Sequence, residues 1–156
     1  MITRLGILGF GTMGKIYKST IDDFAETEVS VIFSEKKIHY KKENVIVSKW
    51  SELEDSNLQF FRDNLDGLII TVPEWIRFEI LKKALKLDLP ILIDKPLASS
   101  WEETQEIEKI FKESSTPLYV CNTLIFNPIY RNLLNRVRNG ECGNLGFISS
   151  SRDSSL

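Results

Sequence analysis

Histidine and cysteine are scarce in this chain of 156 residues, which has one histidine and two cysteines. The histidine, His39, lies in the lysine-rich stretch 36–42, which is typical of a solvated loop rather than of a ligand site. Cys121 and Cys142 lack the close pairwise spacing of metal ligands. We therefore expect no metal site and two free thiols in a reducing, cytoplasmic compartment.

The chain also lacks a strong excess of charge of either sign. Its 20 basic and 22 acidic residues give a formal net charge of −2, so there is no electrostatic case for nucleic acid or an anionic membrane as a partner. No apolar run approaches the length of a membrane span. Residues 1–4 lead directly into the first predicted strand, so we expect no secretory signal. The length suits one globular domain with a full core.

The stretch from Leu5 to Gly14 carries the strongest local pattern. An apolar run ends in three glycines spaced G-x-G-x-x-G, and apolar residues at helical spacing follow, which predicts strand, tight turn and helix. Gly9 permits the turn, Gly11 lets a pyrophosphate approach the backbone, and Gly14 lets the helix pack closely on the strand. The free amides at the helix start favour an anion. The predicted dinucleotide contacts are Gly9, Phe10, Gly11, Thr12, Met13 and Gly14. The alternative is a glycine-rich turn without a ligand.

The residues after the second predicted strand, Val29–Phe33, bear on the choice of cofactor. In a dinucleotide fold this position faces the adenosine ribose, where an acidic residue binds the 2′-hydroxyl of NAD and a small or basic residue admits the 2′-phosphate of NADP. Ser34, Lys36 and Lys37 favour NADP, whereas Glu35 favours NAD. The sequence leans slightly to NADP, with a polar strand exit of no functional role as the alternative.

Apolar runs and helical periodicities alternate through the rest of the chain. Further strands are predicted at 45–47, 68–72, 91–93 and 118–124. Helices are predicted at 74–87, 101–113 and 128–138, with a short amphipathic segment at 56–62. The β-α-β order requires crossovers and predicts an α/β fold with a Rossmann-type, doubly wound, mostly parallel sheet.

Capping residues define the last two predicted helices. Ser100 and Glu103 fit a capping box. This helix is expected to bury Trp101, Ile107, Ile110 and Phe111. Pro128 opens the final helix and Asn139-Gly140 ends it. The inner face of the final helix is predicted to comprise Ile129, Leu133, Leu134 and Val137.

Asp94-Lys95-Pro96 directly follows the fifth predicted strand. Lys95 is therefore expected at the carboxyl edge of the sheet, where ligands of open α/β folds bind. A fixed ammonium beside an alcohol oxygen would stabilise the charge that develops as hydride leaves, and a proton donor or acceptor would complete the step. Asp94 is a candidate to orient that ammonium or to contact the nicotinamide ribose. The residues alone are equally consistent with a simple turn after a strand.

Three stretches, in this order, resemble the glucose–fructose oxidoreductase / inositol dehydrogenase family of NAD(P)-dependent oxidoreductases (Gfo/Idh/MocA type). They are the glycine turn at 9–14, Thr71-Val72-Pro73, and Asp94-Lys95-Pro96 followed by Leu97-Ala98. The resemblance covers nearly the whole chain and implies an NAD(P)-binding domain at 1–124, Lys95 as the catalytic residue, a sugar or polyol substrate and a cis Lys95–Pro96 bond. It also implies cofactor contacts from Ser34, Glu35, Lys36, Thr71, Pro73, Asp94, Lys95 and Pro96.

The chain departs from the family pattern at several positions. Asp94 replaces a Glu, Arg77 stands where a His is frequent, and Ile125 stands where an Arg is common. No histidine follows His39, whereas the family's second, substrate-binding domain supplies a catalytic one. We therefore expect this chain alone to be inactive, with hydride transfer if a substrate domain completes it. The alternative is a non-catalytic dinucleotide-binding sensor or partner subunit.

Residues 125–156 are expected to hold the closing helix and the first strand of a truncated C-terminal domain, at about 145–152. A lone strand leaves its backbone donors and acceptors unpaired. It would therefore be disordered or pair with the same strand of a second molecule. The apolar residues Leu145, Phe147 and Ile148 favour pairing, and hence a homodimer.

Overall fold

The computed structural model describes residues 2–38, 40 and 45–151, so His39 lies outside the described residues. The chain divides into two compact units, Met1–Cys121 and Asn122–Leu156. The predicted boundary at residue 124 lies three residues beyond this division. Each unit is described by itself below.

The first unit is built on a sheet of six parallel strands in the order β3-β2-β1-β4-β5-β6. The strands are β1 (Thr3–Leu8), β2 (Thr27–Phe33), β3 (Ile46–Ser48), β4 (Gly67–Ile70), β5 (Ile91–Asp94) and β6 (Leu118–Cys121). The order reverses between β1 and β4, and ligands of open α/β sheets bind at such a switch point, outside the carboxyl ends of the strands. The predicted doubly wound, Rossmann-type α/β fold is confirmed.

Within the described residues, four helices connect these strands. They are α1 (Thr12–Asp22), α2 (Leu58–Asn64), α3 (Glu74–Leu85) and α4 (Trp101–Lys112), with a 3-10 turn at Trp50–Glu52. The Ser100 hydroxyl accepts a hydrogen bond from the Glu103 amide at 3.1 Å, as the capping box predicts. The Glu103 carboxylate, however, accepts from the amide of Ser99 rather than from that of Ser100. Among the described residues, no helix is long and apolar enough to cross a membrane.

The core of the first unit forms two clusters, because successive strand residues point to opposite faces of the sheet. Leu8, Phe33 and Ile70 belong to the larger cluster, which includes residues of α2, α3 and α4. Their neighbours in sequence, Ile7 and Ile32, belong to the smaller cluster together with residues of α1. Burial on both faces explains why these strands are continuously apolar in sequence.

The burial predicted for Trp101 is wrong, since 69% of this residue is exposed. Ile107 is buried as predicted, and Ile110 and Phe111 are half-buried. At 100° per residue, Trp101 lies about 120° around the helix axis from Ile107, outside the face that meets the sheet. The capping pattern located the start of α4 correctly, but the helical spacing of Trp101 argued against its burial.

The second unit contains a 3-10 turn at Thr123–Phe126 and the helix α5 (Pro128–Arg138). The predicted sixth strand therefore ends at Cys121 instead of 124. The Asn127 side chain caps α5 by accepting from the Ile129 amide at 2.9 Å, and Gly140 follows the helix end with φ +76°. The predicted burial of the α5 apolar face is wrong for three of its members. Ile129, Leu133 and Leu134 are exposed, and Val137 is half-buried.

The strand predicted at 145–152 stays a prediction. Residues 145–151 have no regular secondary structure, and residue 152 lies outside the described range. An extended segment becomes a strand only when a neighbouring strand satisfies its backbone groups. Irregular backbone agrees with one of the two outcomes expected for a lone segment, and homodimerisation through it also stays a prediction.

The two burial outcomes in α4 give a matched pair of variants. Ile107→Ala should lower the free energy of unfolding by about 3 kcal/mol, because it removes buried apolar atoms and leaves a cavity. Trp101→Ala removes a largely exposed side chain and should change this free energy by less than about 1 kcal/mol. Urea unfolding followed by circular dichroism measures both, and a larger loss for Trp101→Ala would contradict the packing described.

Candidate functional site

The three glycines after β1 are constrained in different ways. Gly9 has φ +99°, and a Cβ there would lie 2.9 Å from the amide nitrogen of Val72. A Cβ at Gly14 would collide with the carbonyl oxygen of Gly9. A Cβ at Gly11 would have no atom within 4 Å, and its φ of −79° and ψ of −156° suit any residue. Protein packing thus accounts for Gly9 and Gly14, while Gly11 borders open space.

Three hydrogen bonds hold this turn at the carboxyl edge of the sheet. The Gly9 amide donates to the carbonyl of Phe33 at 2.9 Å, and the Thr71 amide donates to that of Leu8 at 2.8 Å. The Thr71 hydroxyl donates to the Gly9 carbonyl at 2.7 Å. Thr71, predicted as a cofactor contact, therefore positions the glycine turn from the end of β4. Pro73, two residues later, is the exposed residue that precedes α3.

The start of α1 is exposed at its first residues and has no side-chain cap. Its cap residue, Gly11, offers no side-chain hydrogen bond, and its first turn contains no acidic residue. Thr12 and Met13 are exposed. The first amides of a helix lack partners within it and, with the helix dipole, favour an anion at this end. The predicted residues of the glycine turn therefore lie where a pyrophosphate would be held.

Phe10, inside the turn, is supported by the loop after β2. Its ring packs edge-on against Tyr40, with 5.5 Å between the ring centroids. The ammonium of Lys18, in α1, lies 5.7 Å from the Tyr40 centroid and forms an ion pair with Asp22. Burial disfavours the charged form of Lys18 and by itself would lower its pKa. The hydrogen bonds of this ammonium to Asp22 and Tyr40 outweigh that effect, so the pKa of Lys18 is raised.

Sequence reasoning missed the burial of Lys18. In α1 the apolar residues Met13 and Ile16 are exposed, while Lys18 is buried. The missed signal was the acidic residue Asp22 four positions after Lys18, a spacing that places the two side chains together on one helix face.

The end of β5 brings together the second group of predicted residues. Asp94 is buried, and its carboxylate accepts a hydrogen bond from the backbone amide of Lys95 at 3.0 Å. Lys95 and Pro96 are exposed, and the peptide bond between them is cis, as the family resemblance implied. Asp94 thus orients the backbone that carries Lys95.

Arg77, in α3, ties the ends of β4 and β5 together. Its guanidinium is buried and donates to the carbonyls of Val72 (2.7 and 3.2 Å), Asp94 (2.8 Å) and Pro96. Burial lowers the pKa of Arg77, while the negative charges of Asp94 and Glu74 oppose that shift. One side chain therefore fixes the backbone on both sides of Lys95.

Sequence reasoning treated Arg77 only as a departure from the family pattern. The available signal was its spacing from Ile80, Leu81 and Ala84, which lie three, four and seven residues later and are all buried. A cation on such a face needs buried acceptors, and strand-end carbonyls are the nearest source of them.

The residues after β2 occupy the same edge of the sheet as the glycine turn, because β2 is the neighbour of β1. Ser34 donates its hydroxyl to the carbonyl of Lys36 at 3.0 Å. The Glu35 carboxylate accepts from the Ser51 amide at 2.8 Å. Neighbouring strands thus bring together at one edge every residue predicted for the site. Within the described part of the chain, no group of three His, Cys, Asp or Glu side chains is placed to hold a metal ion.

Replacing Arg77 tests whether it organises this edge. Arg77→Met should lower the free energy of unfolding by about 3 kcal/mol, because it leaves the buried carbonyls of Val72 and Asp94 without this donor. Arg77→Lys should lower the free energy of unfolding by less than Arg77→Met does, but should still lower it, because an ammonium lacks the planar fork that reaches several carbonyls. The control is Lys82→Met, which removes an exposed cation from the same helix and should cost less than about 1 kcal/mol. Equal urea midpoints for Arg77→Met and Lys82→Met would contradict the role of Arg77.

Comparison with known proteins gives one matching family model, described as an oxidoreductase family with an NAD-binding Rossmann fold, over residues 3–121. Inositol 2-dehydrogenase from Corynebacterium glutamicum (strain R) is 29% identical over 147 residues, covering 91% of this chain and 43% of that protein. The rhizopine catabolism protein MocA from Rhizobium meliloti is 23% identical over 146 residues, covering 94% of this chain and 45% of that protein.

A solved structure shows the same fold. It is that of scyllo-inositol dehydrogenase from Lactobacillus casei with bound NAD(H) and scyllo-inositol, which matches with a TM-score of 0.75 and 18% identity. The match covers 92% of this chain and 43% of that one. The chain thus spans less than half the length of the relatives it resembles. Since the family model covers well over half of the sequence, the chain belongs to the Gfo/Idh/MocA family of oxidoreductases with an NAD-binding Rossmann fold.

Proposed function

We propose that the chain binds NAD(H) or NADP(H) across the carboxyl ends of β1 and β4, as the dinucleotide-binding domain of a sugar or polyol dehydrogenase. The observation that carries this proposal is the open space at Gly11, in a turn where Gly9 and Gly14 are closely packed. Glycine at 11 is unexplained by the protein's own packing and fits the close approach of a pyrophosphate. The pyrophosphate would lie over Phe10–Met13, against the first amides of α1.

The substrate class is proposed from the relatives and from Lys95. Two of the similar proteins are named as inositol dehydrogenases, and inositols are polyols. A bound nicotinamide ring would supply the acceptor for the hydride of the alcohol carbon. Lys95 would donate a hydrogen bond from its ammonium to the alcohol oxygen and stabilise the negative charge that develops there. Asp94 and Arg77 hold the backbone that carries this ammonium.

The reaction also needs a group that accepts the alcohol proton. We propose that a separate substrate-binding domain supplies it, because this chain matches only 43% of the length of inositol 2-dehydrogenase. On this proposal, the chain contributes dinucleotide binding and the Lys95 ammonium. A dinucleotide-binding sensor or partner subunit, the alternative function, would need the dinucleotide binding but not the Lys95 ammonium.

Gly11→Val tests the position of the dinucleotide. The backbone at Gly11 accepts any residue, so the variant should fold, while its branched side chain should occupy the pyrophosphate position. We expect affinity for NADH and NADPH, measured by fluorescence titration, to fall by about 100-fold or more. Gly146→Val is the matched control, since Gly146 also borders open space but lies in the second unit. Unchanged affinity in Gly11→Val would show that the site is wrongly placed.

Turnover assays separate catalysis from simple binding. The chain alone, incubated with NAD⁺ or NADP⁺ and a panel of inositols and sugars, should bind dinucleotide and form no reduced product. Lys95→Ala should lower the dinucleotide affinity far less than Gly11→Val does, because the main role proposed for Lys95 is toward the substrate. Turnover by the chain alone would contradict the need for a second domain. If that turnover survived in Lys95→Ala, the catalytic role of Lys95 would be contradicted as well.

A further inference from the structure

The last strand of the sheet, β6, leaves one of its edges open. It lies at one end of the strand order, and in the part of the chain that the structure describes only β5 pairs with it. Its residues, Leu118–Cys121, include no charge and no proline, two devices that commonly protect an edge strand. Tyr119 is 62% exposed and Val120 is 37% exposed. This apolar edge is therefore a surface on which a further strand can pair.

A groove of about 520 Å³ lies beside this edge, between β6 and α4. Its apolar lining includes Leu97, Trp101, Phe111 and Leu118. The indole of Trp101 belongs to this lining and is nevertheless largely exposed. A partner that paired with β6 would lie next to the groove, so its side chains could remove this apolar surface from water.

One flank of α4 faces this groove and carries groups of different chemistry along its length. Trp101, Gln105, Glu108 and Lys112 all line the groove. At 100° per residue, these four side chains lie within about 60° of one another around the helix axis. The indole stands at the start of the helix and the ammonium at its end, with the amide and the carboxylate between them. The order of groups along the flank is therefore directional.

A second copy of the chain, related by a two-fold axis across the edge, would complement this flank. Such an axis makes β6 and α4 antiparallel to their counterparts, so the start of each helix meets the end of the other. Lys112 would then lie against the partner's Trp101, as a cation–π pair. Glu108 would lie near the partner's Gln105, whose amide can donate to the carboxylate. A parallel arrangement would instead oppose like charges.

We propose that a second copy of this chain docks on β6 and the groove flank of α4, and that the two β6 strands pair antiparallel. Strand pairing alone would be marginal for four residues, so burial of the groove is needed for a stable dimer. The opposite edge strand, β3, is less suited, because Lys36, Lys37 and Lys49 lie where it ends and would repel their counterparts. The interface lies in the first unit and does not depend on dinucleotide binding.

Sedimentation and hydrogen exchange test this interface on the full chain. We expect a monomer–dimer equilibrium with a dissociation constant of about 10 μM. Above that concentration, the amides of Leu118–Cys121 should exchange about tenfold more slowly than in dilute solution, while those of residues 145–151 should not change. A chain that stays monomeric at about 100 μM would overturn the inference. Protection confined to residues 145–151 would also overturn it, because the contact would then lie in the second unit.

Variants at the groove and the edge identify the groups responsible. Trp101→Ala should weaken self-association about tenfold, because it removes an aromatic side chain from the groove. Trp75→Ala is the matched control, since Trp75 is 71% exposed in the first turn of α3, outside the interface, and should leave the dissociation constant unchanged. Tyr119→Lys should weaken self-association about tenfold or more, because it places like charges on the paired strands. Parent-like dissociation constants for Trp101→Ala and Tyr119→Lys would overturn the inference.

Discussion

The carboxyl edge of the sheet depends on the buried guanidinium of Arg77. Where strands end side by side, their last carbonyls must either face water or accept a hydrogen bond from the protein. Here the Arg77 side chain donates to carbonyls at the ends of both β4 and β5. The planar fork of Arg suits this task because its several N–H groups diverge in fixed directions. Lys95 projects from backbone that is held by Arg77 from one side and by Asp94 from the other. The exposed Lys95 is therefore carried by backbone that two buried side chains hold in place.

The glycine turn is likewise held by groups from two different parts of the sheet. Thr71 holds the turn by its hydroxyl, and the neighbouring strand end holds it through the Gly9 amide. Close packing excludes any larger residue at two glycines and leaves the third beside solvent. The protein's own hydrogen bonds already order the turn. Binding of a dinucleotide would therefore carry no entropic cost for ordering it.

Much of the fold follows from local patterns in the sequence, and the errors have identifiable physical causes. The strands can be predicted because burial on both faces makes them continuously apolar. Ser100 and Pro128 mark the starts of two helices. Burial of α5 and a strand at 145–152 were inferred from apolar content, which does not reveal whether a partner surface is present. The bonds of Arg77 to Asp94 and Pro96, and the bond between Glu35 and Ser51, join residues 16–19 positions apart. Periodicity within one element therefore cannot show them.

The contact between Tyr40 and Phe10 links two parts of the site that are distant in sequence. Tyr40 belongs to the loop after β2, whereas Phe10 belongs to the turn after β1, and their rings pack edge-to-face. Lys18 secures the Tyr40 side of this contact from within α1. Because the rings are in contact, displacement of one would disturb the packing of the other. If the chain binds a dinucleotide as proposed, a ligand that displaced Tyr40 would therefore also alter the glycine turn, so the loop after β2 and the turn after β1 would be thermodynamically coupled.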